Sequence, residues 1–122
     1  MKPFVHALNS AKKHGGKYED YLKIHEFLDQ TKSAHPDMRH RAILHNSMGP
    51  FIAAQVFGDV ITNSVGKLVS VRDICEEHII EDMGRIPTIS DYLNEMPMYH
   101  WLGGVKHKVK QKFIPFEQIN ED

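Results

Sequence analysis

The stretch YEDYLKIHEFLDQTK, residues 18–32, decides the fold class of this protein. Its apolar side chains recur every three or four residues, which places them on one face of an α-helix. That face consists of Tyr18, Tyr21, Leu22, His25 and Leu28. Similar patterns occur on both sides of this stretch, so the sequence predicts a mainly helical protein.

Turn-forming residues divide the rest of the chain into further helices. The predicted helices cover residues 4–13, 18–32, 36–57, 72–83 and 91–96. Gly84 is expected to end the helix over residues 72–83 as a left-handed cap. Pro50 removes a backbone donor inside the longest one, so a kink or break is expected near residues 47–49.

Two short β-branched runs, residues 60–62 and 67–71, predict a hairpin with a turn of four residues between them. A two-stranded hairpin is marginal by itself and must pack on the helices. The expected fold is therefore a compact bundle of about four helices. Its one β-hairpin lies between helices 2 and 3, which cover residues 36–57 and 72–83.

Composition limits the class of protein. The chain has 122 residues, which predicts a single domain with its core in residues 4–96 and a fraying tail over 97–122. With 15 basic and 16 acidic residues, non-specific nucleic-acid binding is not expected, because it needs a basic excess.

Neither a secretory signal nor a membrane-length apolar run is found, so the expected location is cytoplasmic. Nine histidines are unusual for this length.

The segment EEHIIEDMGRIP, residues 76–87, is the first candidate for chemistry. On a helix, His78 lies one turn before Glu81 and Asp82, close enough for an imidazole and a carboxylate to share a cation. Arg85 is expected on the same side. An ordinary intrahelical pair of histidine and carboxylate fits the spacing as well, and the sequence leaves both interpretations open.

The segment DMRHRAILHN, residues 37–46, is the second. A straight helix would place Asp37, Arg41 and His45 in one row and turn His40 about 140° away. His45 is therefore favoured over His40 for a shared site. Either Arg39 or Arg41 would bind an anion such as phosphate, although a solvated Asp37–Arg41 pair beside two core histidines explains the segment equally well.

A third pair, His25 and Asp29, lies one turn apart on the helix over residues 18–32. Combining the three segments predicts a site for a divalent transition metal, Zn, Mn, Fe or Ni, from nitrogen and oxygen donors. The predicted metal ligands are His25, His45, His78 and Asp82. The predicted catalytic residues are Arg41, Glu81 and Arg85. The other histidines, His6, His14, His35, His100 and His107, are expected at the surface.

These segments resemble a poorly characterised family of small proteins from bacteria and their phages, with the pattern DxRHRAxxH followed by EHxxEDxGRIP. The resemblance runs in order through HALNSAKKHGG, EDYLKIHEFLD, DMRHRAILHN, ITNSVGK, VRDICEEHIIEDMGRIP and DYL, and it covers about residues 4–95. It implies a self-contained domain. The positions that it singles out are His6, His25, Asp29, Arg39, His40, His45, His78 and Asp82.

The chain is also loosely similar to helical metal phosphohydrolases, but it lacks their adjacent His-Asp doublet. Three functions are therefore kept. The first is a metal-binding domain that hydrolyses a phosphorylated or nucleotide-like small molecule. The second is a non-catalytic protein that sequesters a nucleotide signal or inhibits a host protein. The third is a homo-oligomer that associates through Tyr99 and Trp101. A small anionic ligand is expected in the first two.

Overall fold

The computed structural model of the protein describes residues 1–106. The sequence has basic residues close together near its end, and most of them lie outside the described residues: Lys106, His107, Lys108, Lys110 and Lys112. The chain divides into two compact units, Met1–Ile89 and Ser90–Asp122, and each is described by itself. The expectation of one domain over the whole chain stays a prediction.

The described part is mainly helical with one small antiparallel sheet. Its α-helices are α1 (Pro3–His14), α2 (Glu19–Asp29), α3 (Arg41–Leu44), α4 (Gly49–Phe57), α5 (Val71–Met83) and α6 (Ile89–Leu93). Its 3-10 turns cover Gln30–Ser33, Met38–His40 and His100–Lys106. None of these helices combines the length and the apolar character needed to cross a membrane, within the part of the chain that the structure describes.

The hairpin is confirmed, and its place in the chain is between α4 and α5. Strand β1 (Val60–Thr62) pairs antiparallel with β2 (Leu68–Ser70), with Ile61 opposite Val69. Asn63 in its turn donates to the hydroxyl oxygen of Tyr21 at 3.2 Å. This hydrogen bond links the hairpin to α2, and a two-stranded sheet needs such contacts with the helices to be stable.

Helix α5 packs against α1, α2 and α4 in the first unit. Ser70 caps its first turn by accepting from the backbone of Asp73, and Gly84 ends it in the left-handed conformation, as predicted. Between these ends, Ile74, Cys75 and Ile79 are fully buried. The neighbouring helices add small and large apolar side chains to this core: Ala7, Tyr21, Ile24, Leu28, Leu44 and Ala53.

The predicted helix over residues 36–57 is not continuous. A 3-10 turn precedes α3, which ends at Leu44, and α4 begins only at Gly49. The side chain of Asn46 separates the two helices: its amide donates to carbonyls of α3, and its oxygen accepts from the backbone of Met48 and Gly49. A Cβ at Gly49 would collide with the carbonyl oxygen of Leu44, so only glycine permits this close turn. The bundle therefore has more and shorter helices than the four expected.

In the second unit, the rings of Tyr99 and Trp101 stack on each other with their centroids 5.3 Å apart. Trp101 remains 62% exposed. Association of the protein through these two aromatic residues stays a prediction.

Candidate metal centre

Among the histidines that the structure describes, five are buried, and four of these lie together where α1, α2, α3 and α5 meet. His6 lies on α1, His25 on α2 and His78 on α5, while His45 directly follows the last residue of α3. Each of these four side chains is at most 1% exposed. Such a concentration of polar rings in a small core requires partners, because an unpaired buried polar group costs about 1–3 kcal/mol.

The tightest group in this region is made of four atoms, which we call the four-atom cluster: His45 Nε2, His78 Nε2, Asp29 Oδ1 and Asp82 Oδ2. The two nitrogens are 3.1 Å apart. His78 Nε2 lies 3.2 Å from each of the two carboxylate oxygens. His45 Nε2 lies 2.9 Å from the oxygen of Asp82 and 3.5 Å from that of Asp29. All four atoms are within 4.8 Å of one another.

These spacings are those of ligands around one ion. With bonds of about 2.0–2.1 Å, tetrahedral ligands are about 3.3–3.4 Å apart, and neighbouring octahedral ligands about 2.8–3.0 Å. Four of the five separations, 2.9 to 3.2 Å, lie between the limits of 2.8 and 3.4 Å, and the fifth, 3.5 Å between His45 Nε2 and Asp29 Oδ1, is slightly longer. The buried histidines and carboxylates are therefore positioned to hold a metal ion.

Hydrogen bonds alone satisfy this arrangement poorly. An imidazole nitrogen carries either one proton or one lone pair, so it can serve one partner well. His78 Nε2 has three partners within 3.2 Å: His45, Asp29 and Asp82. A cation between the four atoms would be shared by all of them at once.

The opposite ring nitrogen of His78 faces a separate chain of polar groups. His78 Nδ1 lies 2.8 Å from His25 Nδ1, and His25 Nε2 lies 2.7 Å from the hydroxyl oxygen of Ser10. Burial, followed by the nearby His78 and His6, lowers the pKa of His25 to about 3, so His25 is neutral near pH 7. A neutral imidazole in this position can fix the tautomer of His78, as second partners of metal-bound histidines do.

The charged groups of the cluster stabilise each other. Burial opposes ionisation of Asp29 and Asp82, but hydrogen bonds with the histidines outweigh it and lower the pKa of both carboxyls. Burial also opposes protonation of His78, yet its bonds to the same two carboxylates raise its pKa. The cluster is thus an anionic position in a water-poor interior, which favours a cation.

His6 lies on the other side of Asp82. Its Nδ1 is 2.6 Å from Glu81 Oε1, and its Nε2 is 3.1 Å from Asp82 Oδ1. Its ring stacks on the ring of His78 with the centroids 3.7 Å apart. His6, His25 and His78 also place one potential ligand atom each within 4.8 Å of one another.

The predicted metal ligands are placed in two groups. Three of them, His45, His78 and Asp82, contribute atoms to the four-atom cluster. His25 contacts the nitrogen of His78 that points away from those atoms, so one ion cannot bind both in the same set. The fourth member is Asp29, which the sequence paired with His25.

The predicted catalytic residues lie at different depths. Nη2 of Arg41 is 3.9 Å from Asp82 Oδ1, and its side chain is 20% exposed. Glu81 is 28% exposed and contacts His6. Arg85 follows the end of α5 and is exposed.

The predicted row of Asp37, Arg41 and His45 is wrong. The backbone is extended at Asp37, and a 3-10 turn rather than α-helix follows it. Asp37 therefore binds Arg39, with Nη2 to Oδ2 at 2.7 Å, and Arg41 is left to approach Asp82. His40 contacts the hydroxyl of Thr31 at 2.9 Å and lies outside the four-atom cluster.

One histidine of the region, His6, was missed in the spacing analysis of the sequence. His6 was expected at the surface and is fully buried. Its burial follows from Ala7 and Ser10, small buried residues that let α1 approach its neighbours closely. His6 and Ser10 are one helical turn apart, as His25 and Asp29 are, and this spacing could have indicated that His6 faces the core.

Fold and site together define a small helical domain with buried histidine and carboxylate groups positioned to bind a metal ion. The chain belongs to the family described as a domain of unknown function, DUF6915, whose model matches residues 1–102. Neither a curated protein nor a solved structure matches the chain.

Proposed function

We propose that this protein binds a divalent transition metal through Asp29, His45, His78 and Asp82, and that it hydrolyses a phosphorylated, nucleotide-like small molecule. The observation that carries the metal site is the four-atom cluster with its separations of 2.9 to 3.5 Å. Two imidazoles and two carboxylates suit Zn, Mn, Fe or Ni.

Charge supports a divalent ion. Two neutral imidazoles and two carboxylates carry a charge of −2, which one divalent cation neutralises in a buried position. The lowered pKa values of Asp29 and Asp82 keep both carboxylates ionised near pH 7. Neutralisation within the core avoids the high cost of an unpaired buried charge.

The proposed reaction depends on the solvent side of the site. A bound divalent ion polarises a phosphoryl group and lowers the pKa of water. Arg41, partly exposed beside Asp82, would bind the phosphate oxygens through its planar guanidinium group. Glu81 would hold His6 in place, and Arg85 would supply a second positive charge to the anion.

The reaction is tested with protein purified without an affinity tag, freed of metal and then loaded with Zn²⁺ or Mn²⁺. Phosphorus NMR follows nucleoside mono-, di- and triphosphates and a simple phosphomonoester. We expect metal-dependent release of phosphate. Arg41→Gln should lower kcat/KM by about 10- to 100-fold, because a hydrogen bond to a charged group is lost.

Arg39→Gln is the matched control. Arg39 is two residues away, 80% exposed and bound to Asp37, so its loss should leave kcat/KM unchanged. Equal effects of the two substitutions would contradict the role of Arg41. A nucleotide that binds tightly and is recovered unchanged would contradict hydrolysis and favour the non-catalytic binding protein.

A further inference from the structure

The carboxylate of Asp82 contacts imidazoles with both of its oxygens: Oδ2 contacts His45 and His78, and Oδ1 contacts His6. Oδ2 belongs to the four-atom cluster, 3.2 Å from His78 Nε2. Oδ1 lies on the other side, 3.1 Å from His6 Nε2. Oδ1 and His6 Nε2 are thus, like Oδ2 and its two ring nitrogens, at a separation that fits two ligands of one ion.

The two rings are held side by side. His6 and His78 stack with their centroids 3.7 Å apart and their planes 25° from parallel. Their Nε2 atoms both face the carboxylate of Asp82, so an ion beside each nitrogen would share that carboxylate. Paired metal ions in enzymes are about 3.5–4 Å apart.

Glu81 fixes the direction of His6. Its Oε1 lies 2.6 Å from His6 Nδ1. A carboxylate accepts from a protonated ring nitrogen, so in a neutral ring with this bond Nε2 has the lone pair. A carboxylate behind a histidine is the arrangement that orients metal ligands in proteins. The lone pair of His6 Nε2 then faces an oxygen that also lacks a proton, and a cation between them satisfies both.

We propose that Asp82 bridges two divalent cations, with His6 Nε2 and Asp82 Oδ1 holding the second one beside the four-atom cluster. This inference rests on the proposed function, since the first cation occupies that cluster. The second position has two protein ligands, so solvent or the phosphate of a substrate completes its coordination.

Charge makes the second site the weaker one. The first cation neutralises Asp29 and Asp82, so the second adds charge that only Glu81 offsets nearby. The guanidinium of Arg41 and the amino group of Met1 already lie 3.9 and 3.1 Å from Asp82 Oδ1. Both are more accessible than Asp82 and must move aside when the second cation binds.

The proposal is tested by titrating metal-free, untagged protein with Mn²⁺ and following it by calorimetry and electron paramagnetic resonance. We expect two sites per chain, the second weaker, and a spin-coupled Mn²⁺ pair at saturation. His6→Gln should leave one site and no coupled signal. Glu81→Gln, at a more exposed position, should weaken the second site by about 10- to 100-fold and spare the first.

The matched controls are His14→Gln and Glu77→Gln. His14 and Glu77 form an equivalent pair between α1 and α5, with Nε2 to Oε1 at 2.8 Å, outside the bridged carboxylate. Both controls should retain two sites. If the unaltered protein binds one ion and His6→Gln still binds it, the bridge is overturned and the proposed metal site stands. If the unaltered protein binds no ion, both are overturned.

Discussion

Replacing His45 by glutamine should weaken binding of the first metal ion by more than about 100-fold, because even residues behind a ligand cost 10- to 100-fold when lost. His45 Nε2 lies within 3.5 Å of the three other atoms of the four-atom cluster. Glutamine cannot return a nitrogen lone pair to that position. Calorimetric titration of metal-free protein with Zn²⁺ measures the change.

The control is His40→Gln. His40 is also buried, and its ring centroid is only 6.0 Å from that of His45, but it contacts Thr31 instead of the cluster. The His40→Gln variant should therefore keep the metal affinity of the unaltered protein. In the unaltered protein and in this control, Zn²⁺ at about 100 times the dissociation constant should raise Tm by about 10 °C. A similar loss of affinity in both variants would contradict the assignment of His45.

Asp82→Asn should lower the free energy of unfolding of the metal-free protein by about 3 kcal/mol at pH 7, as expected when a buried ion pair loses one partner. The side chain of Asp82 is 1% exposed and contacts His6, His45 and His78. An amide of the same size removes the negative charge that these rings surround. Urea denaturation in the presence of a chelator measures the difference.

The pH dependence provides a second check on Asp82. Its pKa is lower in the folded protein than its ordinary value of 3.8. A lowered carboxyl pKa stabilises the fold above that value, and the contribution is lost as the pH falls below it. The part of the difference that comes from the Asp82 carboxyl itself should therefore shrink below about pH 4. Because Asp82 also raises the pKa of His78, a further part should be lost as the pH rises above 6.5 and His78 gives up its proton. Equal stability at pH 7 would contradict this account, and Asp59→Asn at an exposed position serves as the control without effect.

Most of the helical structure was accessible from the sequence. The ends of α1 and α5 follow from glycines just past their last turns, and the helix α2 follows from its apolar period. The breaks around α3 and α4 could not be predicted from the sequence. They depend on the hydrogen bonds that Asn46 makes to both helices and on a close contact at Gly49. Both are tertiary details that periodicity does not contain.

The candidate site was accessible only within single helices. The spacing of His78 and Asp82 predicted their contact, which the structure has at 3.2 Å. The packing of the helices determines which other histidine approaches His78 and Asp82. For Asp29 and Arg41, the sequence predicted partners one helical turn away, and the structure has other partners. His45 takes its direction from a non-helical backbone at the end of α3, which no helical pattern describes.

The most direct test of the metal site is anomalous scattering from crystals of untagged protein grown with Zn²⁺ and measured at the zinc edge. The account predicts that the strongest peak lies about 2.0–2.2 Å from His45 Nε2, His78 Nε2, Asp29 Oδ1 and Asp82 Oδ2. A strongest peak elsewhere, with no density between these four atoms, would contradict it.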